Sequence, residues 1–71
     1  MFKYEVGQMV YYKAMAGIQN VKISSRHYSE SEDGFYINYT VAVVYPSGQV
    51  NHLTLPEDGV FATEQEALES L

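Results

Sequence analysis

Two histidines and two carboxylate pairs are the residues of this chain whose types could support acid–base or metal chemistry. Neither His27 nor His52 has a partner at metal-ligand spacing, and an isolated histidine on the outer side of a strand is ordinarily a surface residue. The pairs Glu32-Asp33 and Glu57-Asp58 both adjoin glycine in turn-forming stretches. Nothing beside them would raise one carboxyl pKa against the other, as a general acid working with a general base requires. The chain has no nucleophile elbow and no phosphate-cradling glycine loop. With no Cys there is no thiolate zinc site and no disulfide framework, which fits a reducing, intracellular setting. The expectation is therefore a protein that is not an enzyme: no catalytic residue, no cofactor-binding residue, no metal ligand and no small-molecule substrate.

Binding chemistry is better represented. Seven Tyr and three Phe occur in 71 residues. A domain of this length buries only about 60% of its unfolded surface, too little to enclose every ring. Tyr4, Tyr11, Tyr28 and Tyr36 are candidates for partial exposure, and an exposed Tyr offers a large contact area at small entropic cost. The charge distribution is uneven. Through Tyr28 the chain carries four bases (Lys3, Lys13, Lys22, Arg26) against Glu5 alone, a net +3; from Ser29 onward it carries eight acids and no base, a net −8. Unless the fold interleaves the two parts, one side is mildly basic and the other strongly acidic. Lys13, Lys22, Arg26 and His27 beside Tyr11 and Tyr28 would make a basic strip with rings for stacking on nucleic-acid bases. Four cations are few, however, and the acidic part would repel phosphate within a Debye length of about 8 Å. The interaction surface is placed on Tyr11, Lys22, Arg26, Tyr28 and Tyr36.

The elements that position these residues follow from the hydrophobic pattern. Phe35 to Tyr45, FYINYTVAVVY, is the longest β-prone run. Ile37, Tyr39, Val41 and Val43 share one face with Phe35, while Ala42 and Val44 make the other face apolar from Thr40 onward. That pattern predicts a central strand covered twice, by the sheet interior and by a helix or a partner chain. Laid straight, eleven residues reach on the order of 36 Å, so strong curling is expected in a domain this small. Before it, Phe2, Tyr4 and Val6 alternate up to a bend at Gly7, after which Val10 and Tyr12 point inward and Met9 and Tyr11 outward. Ile18 to Tyr28 reads as a second strand with Val21 and Ile23 inside and Lys22, Ser24 and Arg26 outside. Asp33-Gly34 closes a polar tip, making the second and third strands antiparallel neighbours.

Pro46-Ser47-Gly48 forms a turn, and Gln49 to Leu55 a fourth strand with Leu53 and Leu55 inside. Pro56 ends that strand, with a brief 3₁₀ or fifth-strand contact expected near Val60 and Phe61. Thr63 and Glu66 make a capping box for a helix from Glu64 to about Leu71. Its stripe of Ala67, Leu68 and Leu71 must dock, because two helical turns are unstable alone. No run is long enough to span a bilayer and no apolar leader precedes the first strand, so a soluble cytoplasmic protein is expected.

Residues 1–71 thus read as a single domain, mainly β, a small SH3-like barrel of four to five antiparallel strands with a short C-terminal α-helix. GQMVYY, GIQNVKISSR, YINYTV and LPEDGVFATEQEAL, in that order, resemble the small SH3-like barrel proteins carried by bacterial, phage and other mobile-element accessory genes. In those proteins a V-G-x-x-V-Y strand opens the chain and an F-x-T-x-x-E-A-L helix closes it. The resemblance implies that Gly7, Val10, Tyr12, Tyr39, Val41, Phe61, Thr63, Glu66 and Leu68 make the fold; it carries no agreed activity. Two functional readings follow: a non-enzymatic module that binds a protein partner, with a homodimer allowed by the doubly apolar strand, and an electrostatic modulator of nucleic-acid processes. The second would bind nucleic acid through the basic strands, or inhibit a basic nucleic-acid-binding or defence protein through the acidic end.

Overall fold

A computed structural model describes residues 2–71. Four strands, β1 (Met9–Ala14), β2 (Gly17–Ser31), β3 (Gly34–Val44) and β4 (Val50–Pro56), form one antiparallel meander in the order β1-β2-β3-β4. A 3₁₀ turn (Glu57–Gly59) and one short helix, α1 (Glu64–Glu69), follow. The first two hairpins close by the same device. Met15-Ala16 and Glu32-Asp33 turn with negative φ, and the next residue is a glycine at positive φ, Gly17 at 126° and Gly34 at 130°. The left-handed requirement falls on the one residue type that meets it without steric cost. In the third turn the Gly48 amide donates to the Tyr45 carbonyl at 2.8 Å, with Pro46 in the position where its fixed φ suits the turn.

Directly opposed residues share a sheet face. Tyr39 opposite Leu55, Val41 opposite Ile23 and Val10 opposite Val21 place the inner face as the alternation predicts. Tyr39, Val10, Val41 and Ile23 are the largest fully buried side chains, joined in the core by Tyr4, Val21, Ile37, Val43 and Val60.

One bulge alters β2. The pairing passes from Ile23↔Val41 to Ser25↔Thr40, leaving Ser24 unpaired with its hydroxyl donating to the Thr40 carbonyl at 3.0 Å. An extra residue inverts the alternation beyond it. Arg26 therefore lies opposite Tyr39 on the inner face, correcting the expectation that it shares the outer face with Lys22.

The sheet is open rather than closed into a barrel: among the described residues no strand lies along the far edge of β4. On the opposite side, Phe61 clasps β1 by two backbone bonds, Tyr11 N–H to Phe61 at 2.8 Å and Phe61 N–H to Tyr11 at 2.9 Å. This clasp also decides where the helix lies. The three steps from Phe61 to Glu64 span roughly 11 Å at full extension, whereas Phe61, paired outside β1, lies about 14 Å from β3 across the sheet. α1 accordingly packs on β1 and β2 through buried Ala67 and does not cover Ala42 and Val44, as the two-sided pattern of β3 had suggested. Ala42 is half-buried and Val44 is 68% exposed. Leu68 and Leu71 stay largely exposed at the helix end. Thr63 caps α1 as expected, its hydroxyl accepting the Glu66 amide at 3.2 Å. No helix among the described residues is long and apolar enough to cross a membrane.

The expected curling of β3 is not needed to house it. The molecule measures 42 × 27 × 19 Å, and its long axis accommodates the strand. β4 ends at Pro56 opposite Asn38, so Gly34–Ile37 continue beyond it paired only with β2. The far part of the β2–β3 hairpin is thus a two-stranded arm.

Candidate functional site

The arm gathers the most exposed aromatic surface. Tyr28 lies diagonally across the ribbon from Phe35 on one face, and their rings stack at 5.7 Å with an interplanar angle of 25°. Tyr36 stands opposite Ser29 on the other face. Phe35 and Tyr36 are 59% and 58% exposed, and Tyr28 40%. The Tyr28 hydroxyl donates to Glu30 at 2.7 Å, and this bond to a carboxylate raises the phenol pKa above its ordinary value.

A polar hub anchors the arm's base. The fully buried Tyr39 hydroxyl accepts the Lys3 and Tyr4 amides at 3.1 and 3.3 Å and donates to Glu57 at 2.5 Å; Glu57 also accepts the Lys3 amide at 3.2 Å. The Tyr39 bond holds Glu57 below the usual carboxylate range despite the opposing effect of desolvation. Burial, and then the Glu57 bond, push Tyr39 up. Tyr4 packs edge-on to Tyr39 at 5.5 Å and donates to the Val60 carbonyl at 3.1 Å. Residues 2–4, β3 and the 3₁₀ turn are thereby tied at one point.

The outer face carries a hydroxyl ladder. His27 Nε2 lies 3.0 Å from both Ser25 Oγ and Thr40 Oγ1, and Thr40 Oγ1 is 3.4 Å from Thr54 Oγ1. A serine next to a histidine invites a nucleophilic reading. Among the described residues no carboxylate hydrogen-bonds this ring, so the third member that would orient it is missing. The ladder ties β2 to β3 and β4. No group of three or more metal-ligating side chains converges among the described residues.

The five residues expected to form the surface are divided. Tyr28 and Tyr36 share the arm but face opposite ways. Arg26, at the arm's base, donates to the Tyr4 carbonyl at 3.3 Å and lies over the Phe2 ring at 4.5 Å. Tyr11 and Lys22 sit on the outer face of the body, Tyr11 bonded to Phe61 and Lys22 opposite Ala42. The basic strip is divided as well. Lys13 reaches the Ser70 carbonyl at 3.3 Å and lies over Phe61, while Arg26 and His27 stand on opposite faces of β2; outside the strip, the charge of Lys3 acts on Glu57. The fold interleaves the bases with the acidic C-terminal part.

Phe35 was not among the expected surface residues, since its alternation assigns it to the inner face. A signal was present in its neighbours: the polar run SESEDG before it leaves no core at that end. The Tyr39–Glu57 bond joins residues 18 positions apart and has no sequence signature.

An apolar cleft, about 450 Å³, lies at the other end of the sheet between Tyr12, Met15, Val43, Tyr45 and Pro46. Another, about 340 Å³, runs beside the arm where β4 stops. Neither a family model, a curated protein nor a solved structure matches this chain.

Proposed function

We propose that the chain is a non-enzymatic protein-interaction module, a small cytoplasmic accessory factor of a bacterium or mobile element, that engages its partner through the β2–β3 arm. One observation carries this reading: Tyr28, Phe35 and Tyr36 are held in water at the end of a ribbon whose middle, at Ile23, Tyr39 and Val41, is fully packed. Each exposed ring forgoes a burial worth roughly 2 kcal/mol, a cost that contact with a partner would reverse. Within this reading the fold is an SH3-like barrel left open at β4, and Phe61 takes the place of a fifth strand. The Tyr11–Phe61 bonds on the edge of β1 support that view.

The test is affinity capture from an extract of the source cell, with the wild-type chain and a Phe35→Ala, Tyr36→Ala double variant as baits. A partner retained by the wild type and lost from the variant is expected. An identical set of captured proteins on both baits would overturn the assignment to the arm.

A further inference from the structure

On its β4 side, β3 has no strand beside Gly34–Ile37 among the described residues, because β4 ends opposite Asn38 and Pro56, lacking an amide hydrogen, cannot extend the ladder. In an antiparallel sheet, alternate residues of an open edge direct N–H and C=O groups outward, a template for one more strand. The adjoining cleft is walled by Phe35, Tyr36 and Ile37, with Pro56, Glu57 and Asp58 across from them. The arm itself adds Glu30, Glu32 and Asp33. Four of these acids lie toward this edge, Glu57 and Asp58 across the cleft and Glu32 and Asp33 in the turn before Gly34, while Glu30 stands on β2 bonded to Tyr28. Lys3 also lines the cleft, and its charge acts on Glu57, leaving Asp58 as the acid there that faces a ligand. Edge strands are ordinarily protected by lysines or inward charges; Gly34–Ile37 carry none. The free edge of β4 also lacks charged side chains, but it has no comparable ring of acids.

We infer that the partner of this module presents an extended, cationic segment that adds as a short antiparallel or parallel strand to the Gly34–Ile37 edge. Its backbone pairs with β3, its side chains lie alternately against Phe35 on one face and Tyr36 on the other, and its Lys or Arg heads meet Asp58, Glu32 and Asp33. Backbone pairing supplies sequence-tolerant affinity, and the acids select the sign of the charge. This inference rests on the interaction-module reading and specifies its ligand chemistry.

The probe is an end-blocked octapeptide of alternating Lys and Thr, titrated into the ¹⁵N-labelled protein. Amide shifts concentrated at Gly34–Ile37 are expected, with affinity falling about tenfold for Asp58→Lys and falling again between about 0.15 and 1 M salt, where the Debye length contracts. Methylating alternate backbone nitrogens on the pairing side of the peptide should abolish binding. Asp58 is exposed, so its variant keeps the fold. The inference is overturned by shifts confined to the β4 edge, by equal binding of a Glu-Thr octapeptide or of the N-methylated peptide, or by no binding at roughly millimolar peptide. The two claims fail separately. A cellular partner lost from the Phe35→Ala, Tyr36→Ala bait while the peptide fails would leave the module standing and remove the edge. Peptide binding with unchanged cellular capture would do the reverse.

Discussion

Strands β2 and β3 run side by side along their whole shared length, but the two halves of that ribbon have different surroundings. Near Ile23 and Val41 the inner face is sealed by β1, Tyr4 and Val60, and Tyr39 is fully buried with its hydroxyl satisfied three times. Beyond Arg26 and Asn38 the same backbone pairing continues, yet Tyr28, Phe35 and Tyr36 stand in water. An aromatic ring alone does not separate the halves, since Tyr39 lies in one and Tyr28, Phe35 and Tyr36 in the other. What separates them is the reach of the flanking elements: β4 ends opposite Asn38, and the core ends one residue beyond it, at Ile37. Backbone pairing and core packing are thus separable in this molecule, the first continuing where the second has ended.

Substitutions can break or sharpen that contrast. The largest effect belongs to Tyr39→Ala, which empties the packed half and should cost about 3–5 kcal/mol. That is most of the stability of a domain this small, and chemical denaturation should find the variant largely unfolded. Tyr39→Phe keeps the ring but leaves the Lys3 and Tyr4 amides and Glu57 without their shared partner. A loss of about 1–3 kcal/mol, read from the urea midpoint, is expected. Thr63→Ala removes the cap of a helix that packs on the body and should cost about 1 kcal/mol. Phe35→Ala or Tyr36→Ala in the arm should change stability by about 0.5–1 kcal/mol or less while weakening partner capture. If the arm variants destabilise as much as Tyr39→Phe, the arm is part of the core after all.

The hub also makes the contrast depend on pH. Glu57 has a lowered pKa in the fold, so its stabilising contribution is present above the unfolded carboxylate value of about 4.3 and is lost as pH falls through the lower folded value. Over that interval the unfolded chain binds more protons, and stability rises with pH. Tyr39 has the opposite sign: its contribution is present below about 10 and is lost as pH rises through the raised folded value. Glu57→Gln should flatten the acid limb of a thermal-melting profile, and a variant with an unchanged limb would remove Glu57 from the account.

Much of this architecture was legible in local pattern. Period-two alternation assigned Tyr39, Val41, Val43, Leu53 and Leu55 to the inner face, and Gly34, Pro46 and Thr63 marked two turns and a cap, because each of these is decided within a few residues. What covers a face is decided elsewhere in the chain. Ala42 and Val44 looked like a dock for α1, but the Phe61 clasp and its two-residue tether place the helix at β1 and β2. The bulge at Ser24 inverted Arg26 without a local sign, since Ser24-Ser25 is as compatible with a regular strand as with an irregular one. Tyr28 and Tyr36 were identified as surface rings, but Phe35 was hidden by a parity rule that assumes the core extends as far as the strand does.

The meander order bears on how the chain reaches this state. Every strand pairs with its neighbour in sequence, so the three hairpins can zip independently, on a scale of about 1–10 μs each. The contacts that bridge distant parts, Tyr11 with Phe61, Tyr4 with Val60 and Lys3 with Glu57, tie the N-terminal part of the chain to its C-terminal end. Closing that end carries the loop entropy and sets the rate-limiting step, so slowed refolding should follow from lesions around Phe61 and not from lesions in the arm.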